Sequence, residues 1–98
     1  MKGELVIKND KITVTFRSSV SEAMLREIGF IIDKDGYLRF RNGVLCTDLA
    51  TNEKINMNNY ILVTIKVAKD AYRYFPILNS DESIRYVLAE LRMGPYKE

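Results

Sequence analysis

The residues best suited to recognition chemistry lie on one short stretch, Tyr37-Leu38-Arg39-Phe40-Arg41. Side chains alternate along an extended chain, so Tyr37, Arg39 and Arg41 share one face and Leu38 and Phe40 the other. Tyr and Arg are enriched at binding hot spots. Their flat aromatic and guanidinium groups also stack on unpaired bases, and the guanidinium fork holds phosphate. Tyr72, Arg73 and Tyr74 repeat the same residue types further along the chain. These six are the candidate binding residues, for a protein partner or a second copy of the chain, with single-stranded nucleic acid as the alternative. The plainer reading is a solvent-facing surface, with Tyr37 covering its neighbours and Arg39 paired to Asp33 or Asp48.

Groups for covalent or acid-base catalysis are scarce. The chain contains no histidine and one cysteine. The commonest general base and metal ligand is therefore missing, and neither a structural zinc site nor a Cys-His pair can form within one chain. The five glycines are scattered at turn positions and form no phosphate-binding loop. Asp33-Lys34-Asp35-Gly36 has two acidic residues but lacks the spacing of a calcium loop, so it reads as a plain turn. Carboxylates remain: Asp33, Asp35 and Asp48 near turn ends, and Asp81, Glu82 and Glu90 on a C-terminal helix. Solvated or capping roles suit them better than catalysis. Cys46 falls on the Arg39 side of the expected hairpin, where a guanidinium would lower its pKa. The alternative is a small, half-buried hydrophobe. No enzyme activity, metal or cofactor is expected.

Composition bounds the rest. The 98 residues suit one compact domain, 1–98. A hydrophobic fraction of 47% with 29% charged residues is ordinary for a globular chain. A formal net charge of +2 gives little long-range pull on a polyanion, so any nucleic-acid site must be a local cluster. No apolar run is longer than Tyr60 to Val63, which is far too short for a membrane span. No apolar stretch of the signal-peptide kind follows the N-terminus, and an unpaired cysteine suits a reducing, cytoplasmic setting. Frequent Ile, Asn, Lys and Tyr fit an AT-rich coding source, such as that of a viral or plasmid accessory protein.

These residues need elements to hold them. Glu4 to Lys8 and Lys11 to Arg17 alternate around Asn9-Asp10, which predicts a hairpin pairing Ile7 with Ile12 and Leu5 with Val14. Ser19 and Glu22 have capping-box spacing ahead of a helix of about ten residues that Gly29 stops, with Phe30 folding back on Leu25. Residues 30–48 then predict a three-stranded meander. Its first turn, Asp33 to Gly36, closes with a glycine bulge. Its second, Asn42-Gly43, is of type I′ and sets Arg41 against Val44 and Arg39 against Cys46, with Leu45 in the core opposite Phe40.

Leu49 to Asn59 reads as an irregular connection with a turn at Thr51-Asn52. Tyr60 to Lys69 is apolar on both faces at its start and predicts a central strand. Ala71 to Leu78 pairs with it through Lys69-Asp70, and Pro76 confines that strand to an edge or bulge. Asn79 or Ser80 caps a last helix, with Glu82 completing a box with Asn79. Ile84, Val87, Leu88 and Leu91 form its buried stripe, and Gly94 and Pro95 end it. Tyr86, Met93 and Tyr96 lie off that stripe and would suit a symmetric dimer if exposed.

The expected architecture is α+β, a small antiparallel meander of about five to seven strands with two helices, in the order ββαββββ(β)α. The expected function is that of a small non-enzymatic binding protein.

Overall fold

The computed structural model describes residues 1–93. Their order is β1 (Glu4–Lys8), β2 (Thr13–Arg17), α1 (Glu22–Glu27), β3 (Phe30–Ile32), β4 (Leu38–Phe40), β5 (Tyr60–Ala68), β6 (Ala71–Leu78) and α2 (Asp81–Glu90). The class is α+β, as the sequence predicts. The strands divide between an antiparallel four-stranded sheet, ordered β1-β2-β5-β6, and a two-stranded sheet, β3-β4.

The apolar alternation of β5 decides the layering. Ile61, Val63 and Ile65 face α2 and are buried with Val14, Phe16, Ile84, Val87 and Leu88. Tyr60 faces the other way, into a second cluster with Leu25, Leu38, Cys46 and Ile55. The small sheet and α1 thus cover the Tyr60 end of the sheet's second face, and Leu62 beside it is fully buried. β5 is central and β6 is an edge, in keeping with Pro76.

The first hairpin differs from expectation in register. Leu5 pairs with Phe16 and Ile7 with Val14. The Asn9 side chain accepts from the backbone N–H groups of Lys11 and Ile12, each at 2.8 Å, so the loop takes in Ile12 as well. A slip of two residues leaves every side chain on its expected face.

Helix α1 is six residues long, and its cap is Ser21, whose hydroxyl accepts from the Met24 N–H at 3.1 Å. Ser19 and Glu22 form no capping box, because the chain is still extended at Ser21. Gly29 supplies the left-handed stop at φ +100°.

The turn at Asp33 to Gly36 forms as expected, closed by the Gly36 N–H on the Asp33 carbonyl at 3.0 Å with Gly36 at φ +92°. Phe30 pairs with Phe40 and Ile32 with Leu38. The second turn is different. Gly43 N–H donates to the Phe40 carbonyl at 2.8 Å, and Gly43 alone has positive φ there. A type I′ turn needs positive φ at both central residues, so this one is a right-handed turn followed by a glycine bulge. The register moves by one residue. Leu45, not Cys46, lies opposite Arg39, and Cys46 enters the core.

The connection 49–59 is more ordered than expected. Thr47 bridges to Lys54 and Tyr37 to Asn56, and Ile55 is buried. Asn52 takes the left-handed turn conformation at φ 61°.

At α2, Ser80 is the cap, accepting from the Ser83 N–H at 3.1 Å. Asn79 does not box with Glu82; its side-chain amide donates to the Met1 carbonyl at 2.8 Å. Ile84, Val87 and Leu88 are buried, while Leu91 is half-buried. The helix ends at Arg92, which is left-handed at φ 54°. Met93 N–H donates to the Leu88 carbonyl and Arg92 N–H to that of Ala89, the two bonds of a Schellman motif. This geometry turns Met93 inward, to 5% exposure, so it is not part of an exposed patch. Gly94, Pro95 and Tyr96 lie outside the described residues.

Candidate functional site

The first stripe is occupied within the molecule. Arg39 Nε lies 3.1 Å from Asp33 Oδ2, and its Nη1 donates to the Gly43 carbonyl at 2.8 Å. Arg39 therefore braces both turns of the β3–β4 hairpin. Arg41 Nη2 donates to the Arg26 carbonyl at 2.6 Å, which places a cation at the C-terminal end of α1. Tyr37 is half-buried, and its N–H donates to Asp33 Oδ1 at 3.0 Å. The structure keeps Tyr37 and Arg39 beside Asp33, while Arg41 turns away towards α1.

The second group divides by face. Tyr72 and Tyr74 stack, with ring centroids 6.2 Å apart and planes at 16°. Arg73 points to the opposite face, paired in register with Ile65. Cross-strand pairing gives the tyrosines neighbours that one strand alone does not reveal. Lys8, Thr13, Lys66 and Tyr72 form one row across the four strands; Val6, Thr15, Thr64 and Tyr74 form the next. Lys66 Nζ sits 5.8 Å from the centre of the Tyr72 ring, a cation–π contact. This half of the second face lies beyond the small sheet and carries exposed Val6, Lys8, Lys66 and Tyr72.

Another surface follows β6 itself. Asn79 N–H donates to the Asn59 carbonyl at 2.8 Å, just past the Tyr60–Leu78 pair. Antiparallel ladders alternate between bonded and unbonded pairs, so the outward-facing backbone belongs to Tyr72, Tyr74, Pro76 and Leu78. Pro76 agrees with that phase, since it has no N–H to give β5. A groove of about 460 Å³ opens beside this strand, lined by Phe30, Phe40, Leu49, Tyr74 and Pro76 among others. Alternation with Leu38 predicts Phe40 on the core face. Its ring stacks on Phe30 at 5.9 Å, but its outer side is open to the groove and it is exposed. Leu78 and Tyr86 line a second hollow on the α2 side of β6.

Leu49 is 99% exposed. Its loop is nevertheless held firmly. Asp48 N–H donates to the Glu53 carbonyl at 2.8 Å, Asn52 N–H to the Asp48 carbonyl at 2.6 Å, and Ala50 N–H to Asp48 Oδ1 at 2.9 Å. In sequence Leu49 is one apolar residue among several in a largely polar connection, with Ala50, Ile55 and Met57, and alternation cannot tell which of them is buried.

The titratable groups are structural in character. The backbone N–H of Ala50 and the Tyr60 hydroxyl hold the Asp48 carboxyl below its usual pKa range. Partial burial raises the Asp33 carboxyl, but hydrogen bonds from Tyr37, Arg39 and Asp35 outweigh it and bring the net value down. Burial pushes the Cys46 thiol up, the opposite of activation, and Arg39 is not its neighbour in register. Among the described residues no three His, Cys, Asp or Glu side chains come together as a metal site, and no helix is long and apolar enough to cross a membrane. Comparison with protein-family models, curated proteins and solved structures finds no match.

Proposed function

We propose that this chain is a small non-enzymatic binding protein that acts through a protein interface on the β6 side of the molecule, with a second copy of itself as the first partner. The observation that carries the proposal is Leu49. A hydrogen-bonded loop holds an aliphatic side chain wholly in solvent, beside a groove that also shows Phe40. Exposed apolar residues gathered at one place mark interaction sites, whereas scattered ones do not. The adjacent β6 is an edge strand among the described residues and turns the backbone of Tyr72 and Tyr74 outward, a template for strand addition. A two-fold pairing of such edges is self-complementary, and two-fold dimers are the commonest oligomers. Asp33 and Asp48 are both engaged by backbone N–H groups and by Arg39 and Tyr60 respectively, a structural employment that supports a non-enzymatic role. A reducing, cytoplasmic setting fits buried, unpaired Cys46.

Light scattering of the purified chain tests this. The expected mass is twice 11.3 kDa, and Leu49→Asp should return it to one copy with unchanged circular dichroism. A chain that stays monomeric at the highest attainable concentration overturns self-association. The groove would then be tested with a panel of extended apolar peptides, and failure to select any would overturn the protein-interface reading altogether.

A further inference from the structure

The uncovered half of the second sheet face carries a different chemistry from the apolar groove. Its row Lys8–Thr13–Lys66–Tyr72 spans three strand-to-strand gaps, about 14 Å at the usual spacing. Lys11 and Lys69 stand at the turns that close this end of the sheet, in the same hollow as Thr13 and Lys66. Asp10 and Asp70 lie in those turns too. The chain has 15 basic and 13 acidic residues, of which four lysines and these two aspartates lie here, so the remainder balances at eleven of each. This end of the sheet thus carries two net positive charges. That is a local cluster of the kind a small net charge otherwise argues against.

The charge sits beside flat aromatic surface. Tyr72 is 47% exposed and stacks with Tyr74, their planes 16° apart, with Lys66 Nζ 5.8 Å from the Tyr72 ring centre, so aromatic surface and cation adjoin on an open sheet. Lysines bordering stacked aromatics suit a chain that alternates negative groups with planar rings. We infer that the Lys8–Lys66–Tyr72–Tyr74 face binds single-stranded nucleic acid, with phosphates held by the lysines and an unpaired base stacked on Tyr72. The recognition is of backbone and ring, which is tolerant of sequence. The face is an open half-sheet with no element shaped to enter a groove, so a duplex, whose bases are stacked inside, gives Tyr72 nothing to bind. Tyr74 borders both this face and the apolar groove, but binding here needs neither Leu49 nor Tyr86, so Leu49→Asp should abolish self-association and leave nucleic-acid binding intact.

The test is a fluorescence-anisotropy titration of the whole chain with labelled oligo(dT), oligo(U) and a duplex of equal length, at two salt concentrations. Both single strands should bind more tightly than the duplex. The affinity of either should fall with salt at a log–log slope of about −2 to −3 if three or four lysines meet phosphates. Lys8→Ala with Lys66→Ala should make that slope shallower by about 1.4. Tyr72→Ala should weaken binding roughly tenfold or more while leaving the slope unchanged, since stacking releases no counterions. All three changes are on exposed side chains, and circular dichroism checks the fold. Absence of single-strand binding at low salt overturns the inference. So does equal binding of duplex, or binding that Tyr72→Ala leaves intact. Loss of self-association on Tyr72→Ala without nucleic-acid binding would assign the face to protein instead.

Discussion

The Tyr60 hydroxyl donates a hydrogen bond to Asp48 Oδ2 at 2.9 Å. It joins the first residue of the central strand to the loop that carries Leu49. The same carboxylate accepts the Ala50 N–H, so one side chain fixes both the shape of the loop and its seat on the core. Burial and this bond to Asp48 raise the Tyr60 pKa, while the bonds from Ala50 and Tyr60 lower that of Asp48.

A pH dependence follows, with a sign at each end. Asp48 is more acidic folded than unfolded, so its contribution is present above the unfolded value of roughly 4 and is lost as pH falls through the folded one. Tyr60 is less acidic folded, so its contribution is present below roughly 10 and is lost as pH rises through the folded value. Urea midpoints measured across pH should show a plateau with a fall on both sides. Tyr60→Phe should lower the plateau by about 1 kcal/mol, the usual net worth of a hydrogen bond, and reduce the alkaline limb to the part that the buried Cys46 thiol, also raised in pKa, contributes. The acid limb should persist in part, because the Asp33 pKa is lowered as well. An unchanged alkaline limb would show that Tyr60 does not govern it.

Gly36 should resist substitution for two reasons. Its φ of +92° disfavours any side chain, and a Cβ there would lie 2.9 Å from Asn56 Oδ1. Asn56 cannot easily withdraw, since its amide donates to the Asp35 carbonyl at 3.1 Å and its Oδ1 accepts from the Asn58 N–H. Gly36→Ala should therefore cost about 1–3 kcal/mol in chemical denaturation. A loss below 0.5 kcal/mol, of the size seen at ordinary surface positions, would mean that the Asn56 turn gives way freely.

Arg92 offers the opposite case. It holds the left-handed position of the α2 Schellman motif, which glycine usually fills. Arg92→Gly should raise stability by roughly 0.5 kcal/mol, the left-handed penalty of a Cβ less the added freedom of glycine when unfolded. Leu88→Ala, one turn earlier and 1% exposed, should cost about 2–5 kcal/mol. Tyr86→Ala should fall within 0.5 kcal/mol, since Tyr86 is 67% exposed. Thermal or urea unfolding of the three variants checks the order, and a costly Tyr86→Ala would contradict the assignment of faces.

Face assignments along the strands were legible wherever period two was unbroken. β5 declares both its faces, and Pro76 declares the edge. Register was legible only where the turn was chemically unambiguous. Asn42-Gly43 suits a type I′ turn and a glycine bulge equally well, and the choice between them moves Cys46 from the Arg39 side into the core. Local spacing also misplaced the α1 cap, because Ser19 and Ser21 both precede a helical pattern and only the incoming strand decides between them. The lysine–tyrosine row was out of reach for a related reason. Lys8, Lys66 and Tyr72 are distant in sequence, and only cross-strand pairing makes them neighbours.

Arg39 and Tyr72 looked alike as sequence and should behave in opposite ways. Arg39 joins Asp33 on one turn to the Gly43 carbonyl on the other, with its side chain about one-third exposed. Removing it leaves the Gly43 carbonyl without that donor and frees both turns, so Arg39→Ala should lower stability by about 1 kcal/mol. Arg39→Lys should recover only part of this, because one ammonium cannot span two acceptors that the guanidinium fork meets together. Tyr72 stacks on the surface without anchoring the core, so Tyr72→Ala should be close to neutral for stability and should act on binding. Equilibrium unfolding and anisotropy titration of both variants separate the two roles. Arg39→Ala that weakens binding with full stability would return the first stripe to the interface, and a destabilising Tyr72→Ala would make the tyrosine pair structural.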